Sequence, residues 1–306
     1  MRADYLELVK LLARVAPIIF AQPGFALKGG SAINLFVREL PRLSVDLDLV
    51  FLDRTSERLP ALATIAAALH AMADHLTRLG FVAHLPQTAD GHEARLLVRQ
   101  GRLEVKVEVN SVLRGAVLPA RTARLTEAAR ARLKADLRLP VLATEELYAG
   151  KLVAMLDRQH PRDLFDLKLL LENEGITTLI RRCFVAYLAF HNRPIHEVLF
   201  ARPQPLDFAY KREFVGMTAQ PVALNELQAV QTTLLRSVPA ALDGEERAFL
   251  RSLARAEPEW ALLGLPHLSE MPAARWKMAN LLRLRQANPR KFQAQIRALE
   301  VGLDSG

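Results

Sequence analysis

The chain has 306 residues, enough for two domains of ordinary size, and half are apolar against a quarter charged. That balance excludes a disordered protein, and the single cysteine, Cys183, excludes an internal disulfide and points to a reducing compartment. A formal net charge of +8 favours polyanionic partners, although 32 arginines against nine lysines could also reflect a genome-wide codon bias. Asp4 to Phe20 is amphipathic, with Leu8, Leu11, Leu12 and Val15 on one side, so it reads as a helix packed on a sheet rather than a signal peptide. Phe25 to Lys28 reads as a short strand, and Gly29-Gly30 turns the chain. Ser31 then takes the N-cap of a helix over Ala32 to Leu40, which Pro41 ends. Val45 to Phe51 alternates with period two, placing Asp46 and Asp48 on one face of a strand and Val45, Leu47 and Leu49 on the other. Arg58 to Leu79 is a long Ala/Leu helix closed by Gly80. Its uncharged run, Leu59 to Ala73, is too short for a membrane span, so a soluble cytoplasmic protein with no membrane partner is expected.

Phe81 to Leu85, Glu93 to Gln100 and Arg102 to Asn110 read as strands, with Gly101 turning between the last two. Leu113 to Leu139 is Arg-rich and weakly periodic, a partly helical connector. From about Pro140 the pattern is helical: Thr144 to Asp157, then a helix opened by Pro161 that runs to Leu171. Further helices are expected at Ile176 to Phe190, Pro194 to Leu199, Ala223 to Val238, Glu245 to Arg255, Ala273 to Ala287 and Arg290 to Leu299, around a proline-containing connector from Arg202 to Gln220. Cys183, Trp260 and Trp276 read as packing residues, and His191 and His196 as structural, since no other ligand stands at metal spacing. Arg275, Lys277, Arg283, Arg285, Arg290 and Lys291 make either a basic surface for RNA or a solvated face.

Asp46 and Asp48 side by side on a strand repel each other, so a protein that keeps both usually gives them a cation. The glycine turn before them opens a helix whose free N–H groups and positive dipole end suit phosphate. Together these are the equipment for moving a nucleotide, though a tight turn before a solvated strand edge would carry the same residues. In Arg102 to Asn110 the valines and Leu103 fill one face, and Glu104, Lys106 and Glu108 lie on the other. A plain two-faced strand looks the same. Beside the aspartate strand, however, Glu108 is the candidate third carboxylate for two-metal phosphoryl transfer.

The order Gly30-Ser31, helix, Arg42-Leu43-Ser44-Val45-Asp46-Leu47-Asp48-Leu49 resembles the nucleotidyltransferase superfamily, and within it the AbiEii/AbiGii-type toxins that include the MenT proteins. Lys106-Val107-Glu108 is similar to that family's second motif, with Glu where many members carry Asp. Lys151, Ala154, Arg158, Arg162, Asp163 and Asp166 match the spacing of the third, although a helical hairpin with surface ion pairs would share it. The resemblance covers about residues 24–172 and implies an α+β fold. A mixed-sheet core of the DNA polymerase β-like type would occupy residues 1–140, and an all-helical C-terminal domain residues 141–306. It also implies that Asp46, Asp48 and Glu108 bind magnesium or manganese, that Gly30 and Ser31 hold the triphosphate of an NTP, and that Arg42 and Lys151 neutralise the leaving pyrophosphate. Asp166 would support the centre or hold Lys151 and Arg158. Lys106, Arg158 and Ser44 complete the nucleotide-binding set, Ser44 also being a candidate for self-inhibitory modification. The implied function is a toxin, restrained by a separate antitoxin, that transfers NMP to an acceptor, the 3′ end of tRNA. The alternatives are nucleotidylation of a small molecule or protein hydroxyl, and a basic RNA- or partner-binding module with a degenerate core.

Overall fold

The computed structural model describes residues 1–86 and 93–305. By contact the chain forms two compact units: Met1–Leu147 with Glu213–Pro221, and Tyr148–Arg212 with Val222–Gly306.

The first unit opens with helix α1 (Ala3–Ile19), whose apolar side, Val9, Leu12, Val15, Ala16 and Ile19, is buried. Strand β1 (Phe25–Lys28) leads into helix α2 (Gly29–Ala32), continued by a π-helical turn over Ile33–Val37. Strand β2 (Asp46–Phe51), helix α3 (Arg58–Arg78), and strands β3 (Val82–His84), β4 (Glu93–Gln100) and β5 (Leu103–Asn110) follow. The unit is completed by β6 (Arg121–Arg124), α4 (Glu127–Leu133), β7 (Arg138–Val141) and the start of helix α5 (Thr144–Arg158). The seven strands form one mixed sheet in the order β3-β4-β5-β2-β1-β7-β6. β2 runs parallel to β5 and antiparallel to β1. Leu47, Leu49, Val105, Val107 and Val109 are all buried; α1 lies against β2 and β5, and α3 against β3 and β4.

Three expectations are corrected here. The stretch 113–139 contains strands β6 and β7, not only a partly helical connector; Leu139 and Val141 turn inward while the arginines stay out. Ser31 is not an N-cap, because the helix starts at Gly29 after Lys28, two residues earlier. Helix α3 is 21 residues long, long and apolar enough to cross a membrane by length and composition alone. Its Ala61, Ile65, Leu69, Met72 and Leu76, four or three residues apart, are nevertheless buried in the fold, the pattern of a helix lying on a sheet.

A late segment returns to this unit. Leu43 N–H donates to Met217 O at 2.9 Å, Ala219 N–H to Pro41 O at 2.8 Å, and Arg42 pairs with Thr218 as an isolated antiparallel bridge. Arg2 N–H donates to Gly216 O at 2.7 Å, closing the segment against the N-terminus.

The second unit is helical. It comprises the rest of α5, then α6 (Pro161–Asn173), α7 (Thr178–Phe190), α8 (Ile195–Leu199), a single turn α9 (Asp207–Ala209), α10 (Leu224–Ala240), α11 (Gly244–Ala254), α12 (Pro272–Ala287) and α13 (Pro289–Ser305). Helix α6 opens as its proline predicts, with the His160 ring nitrogen accepting from Arg162 N–H. Cys183 is buried, and Trp260 packs against Phe190 and Phe249 with ring centroids 6.3 and 5.3 Å away. Burial lowers the pKa of both His191 and His196, as befits packed, neutral rings. One cation of the expected basic surface is not on the surface. Lys277 is buried, donating to His191 O at 2.7 Å and Arg193 O at 2.9 Å, and desolvation brings its pKa down to about 8.

Candidate active site

Strand register decides which charges meet. Across the parallel β2–β5 pair, Asp46 stands opposite Lys106 and Asp48 opposite Glu108. Across β1–β2, Asp48 faces Lys28, and across β4–β5, Glu108 faces Arg95. Directly opposed residues share a face of a sheet. One row therefore crosses four strands as Arg95, Glu108, Asp48 and Lys28, two acids between two cations. Asp46 and Lys106 form the neighbouring row. The alternation read in the sequence holds, since Leu47 and Leu49 are buried on the opposite face while Asp46 and Asp48 are half-buried. Glu108 is oriented by Arg95, whose Nε lies 2.8 Å from Oε1.

The glycine turn is pressed against these acids. Gly29 has φ +74°, and a Cβ there would collide with the Asp48 carboxylate. A Cβ on Gly30 would come within 2.6 Å of Arg42 Nη2 and 2.8 Å of Ser44 Oγ. Thus Gly29, Gly30, Arg42, Ser44 and Asp48 meet at one place because two side chains are missing there. Arg42 is only 1% exposed, and its Nη1 donates to Leu43 O at 2.9 Å. Its charge lies beneath the turn. Ser31 is fully buried, and its hydroxyl donates to Asp46 O at 2.5 Å, fastening the helix to the start of β2. The Ser31 proton is thus committed to the Asp46 carbonyl, so a phosphate cradle at this turn would draw on backbone N–H groups instead. Gly30→Ala is expected to cost about 1–3 kcal/mol by overpacking, measured by denaturant unfolding, and to weaken nucleotide binding by displacing Arg42 and Ser44.

Among the described residues, no three His, Cys, Asp or Glu side chains are gathered closely enough to hold a metal ion by themselves. Magnesium does not need such a cage. It takes one or two carboxylates and completes its octahedron with phosphate oxygens and water. Asp46 and Asp48 supply that number of hard oxygen donors, so the pair fits the ion.

Lys151, Arg158 and Asp166 fall in the helical unit, where they cluster around Asp163. Lys151 Nζ lies 2.7 Å from Asp163 Oδ1 and 3.1 Å from Asp166 Oδ2. Arg158 Nε lies 2.8 Å from Asp163 Oδ2. Both aspartates are buried. Burial pushes the Asp163 carboxyl up, but Lys151 and Arg158 outweigh it and hold the group below the usual carboxylate range. Asp163 is thus the hub of the cluster. The motif spacing contains Asp163 but gives no sign of this central place. Lys28 and Arg95 were also missed. Lys28 directly precedes the glycine pair, a signal available in the sequence, whereas Arg95 becomes a partner of Glu108 only through register.

Comparisons with known proteins agree with this architecture. Residues 10–280 match the family described as nucleotidyl transferase AbiEii toxin, type IV toxin–antitoxin system. A search of curated proteins finds no match. Among solved structures the chain is similar to MenT4, a nucleotidyltransferase toxin from Mycobacterium tuberculosis. The TM-score is 0.61 at 20% identity, covering 91% of this chain and 94% of that one, a likeness of fold. With a mixed sheet carrying Asp46 and Asp48, a helical unit after it and a family match over most of its length, the chain belongs to the AbiEii nucleotidyltransferase toxins of type IV toxin–antitoxin systems.

Proposed function

We propose that the chain transfers a nucleoside monophosphate from an NTP to the 3′ end of tRNA in the cytoplasm, releasing pyrophosphate. Its activity would be restrained by a cognate antitoxin. The observation that carries this reading is the row of Asp48 and Glu108 in register beside Asp46, directly against the Gly29-Gly30 turn. Asp46 and Asp48 would hold magnesium, or manganese in its place, which when bound offsets the negative charge of the phosphates. Glu108, oriented by Arg95, takes the proton of the acceptor hydroxyl as its oxygen bonds to the α-phosphorus. The bond from that phosphorus to the bridging oxygen breaks, and the electron pair leaves with pyrophosphate. Backbone N–H groups from Gly30 onward cradle the triphosphate, with the Arg42 charge below them and Lys106 at the exposed edge of the acid face. Ser44, beside Gly30, is placed in the same set and remains the candidate for self-inhibitory modification. The family resemblance gives Lys151 the charge of the leaving pyrophosphate, with Arg158 in support and Asp166 behind them. The helical unit's own geometry supports a narrower point, that Asp163 and Asp166 fix the position of Lys151 Nζ.

The test is to incubate the purified chain with tRNA, magnesium and each α-labelled NTP in turn. Label retained on RNA, with pyrophosphate released, is the expected result. Label on protein or a small molecule would replace the acceptor. Toxicity in cells that survives Asp46→Asn with Asp48→Asn would show that transfer is not the toxic activity.

A further inference from the structure

The helical unit contains a cavity of about 260 Å³ that the transfer reaction does not use. It lies among α8, α12, α13 and the end of α11. One wall is apolar, made by Ile195, Leu281 and Leu284. Another is the indole of Trp276, half-buried and, unlike Trp260, without a ring contact among the described residues. The half-buried amides of Asn280 and Gln295 line it too, and the exposed Lys291 stands at its edge.

The lining includes Lys277, 5% exposed. Its ammonium donates to two backbone carbonyls and meets no carboxylate among the described residues, so its charge is not neutralised. Among the described residues no Asp or Glu lines the cavity, and two lysines do, which disfavours a cation as the ligand. A purely apolar ligand would leave the amides and lysines desolvated. An acidic side chain would answer the lysines but leave Trp276 and the amides unused. A planar ring with hydrogen-bonding edges and an attached anion uses all of them, and those are the parts of a nucleotide. The volume lies below the range of about 300–1,000 Å³ usual for drug-sized ligands, so it has room for one unit.

We propose that this cavity binds a single unpaired nucleotide, its base against Trp276 and its phosphate towards Lys277 and Lys291. The nucleotide comes either free or as part of a single-stranded RNA. Exposed Arg275, Arg283 and Arg290, on the same two helices, favour the strand, because they can meet adjoining phosphates. The inference does not depend on the transfer chemistry, since it is read by binding rather than by turnover.

The chain contains two tryptophans, so indole ¹⁵N labelling gives one reporter in the cavity and one, Trp260, in the core. The full chain is titrated with the four nucleoside 5′-monophosphates, with a single-stranded oligoribonucleotide of about eight nucleotides, and with a polyglutamate peptide. The Trp276 signal should shift with nucleotide while Trp260 stays. A shift with monophosphates alone identifies the free ligand, and a tighter response to the strand identifies RNA. Trp276→Leu, followed by anisotropy of a labelled oligonucleotide, should weaken binding by about tenfold or more. Lys291→Ala, at an exposed position that does not threaten folding, should weaken it severalfold. The proposal is overturned if no nucleotide moves Trp276 at millimolar concentration, if only the peptide does, or if both variants bind as the parent does. Loss of transfer in the Asp46/Asp48 variant with binding intact would separate the two sites.

Discussion

Replacing Asp46 and Asp48 together with asparagine is expected to lower nucleotide transfer by about a thousandfold or more while leaving the fold intact. Asparagine keeps the volume of each side chain and removes its charge. The loss follows from the several kcal/mol of charge stabilisation that a metal site contributes to phosphoryl transfer, at about 1.4 kcal/mol per tenfold in rate. The stability half of the prediction has the opposite sign. Asp48 stands beside Asp46 along β2 and opposite Glu108 across β5, an arrangement of like charges that costs free energy in the folded state. Removing two of three should leave the unfolding free energy unchanged or raise it by up to about 1 kcal/mol. Transfer rates and urea unfolding of the same preparation check both halves. A variant that loses activity and stability together would mean that the aspartates hold the sheet rather than the substrate.

Lys151→Met is expected to act in the other direction, destabilising the protein by about 3–5 kcal/mol at neutral pH. The methionine fills the space but takes from Asp163 and Asp166, both buried, the ammonium that they share. In the parent chain the Asp163 carboxyl lies below its ordinary value, so its stabilising contribution is present above the unfolded pKa of about 3.9 and fades as pH falls below it. Without Lys151 the burial effect gains weight and the Asp163 carboxyl takes up a proton more readily. The gap between variant and parent should therefore be widest near pH 7 and narrow towards pH 4 to 5. Unfolding midpoints at the two pH values decide this. A variant as stable as the parent at pH 7 would contradict the buried ion cluster.

What the sequence disclosed depended on how each signal is encoded. The Asp46/Asp48 face was legible because period-two alternation is written locally, and β1, α1 and α6 were legible from apolar spacing and a proline start. Strands β6 and β7 were not, since each has only four residues, Arg-Thr-Ala-Arg and Arg-Leu-Pro-Val, too few to show a period. The Arg95–Glu108 pair needed the register of two strands, which no local pattern contains. Lys277 was misplaced on the surface although a signal existed. Ala273, Lys277, Leu281 and Leu284 recur at helical spacing, and all four are buried or half-buried. A serine after two glycines has the sequence look of a cap, but Ser31 is not one. Its real partner, the Asp46 carbonyl, lies fifteen residues on.

The returning segment at 213–221 has a consequence for how such a chain is made. Domains usually fold in order as they emerge from the ribosome. Here the backbone pairings of Pro41 and Leu43, next to the arginine that underlies the glycine turn, wait for Met217 and Ala219. The nascent first unit therefore stays unfinished until Ala219 has been synthesised. In a toxin of this family, chain order thus sets the moment at which the unit bearing Asp46 and Asp48 is completed.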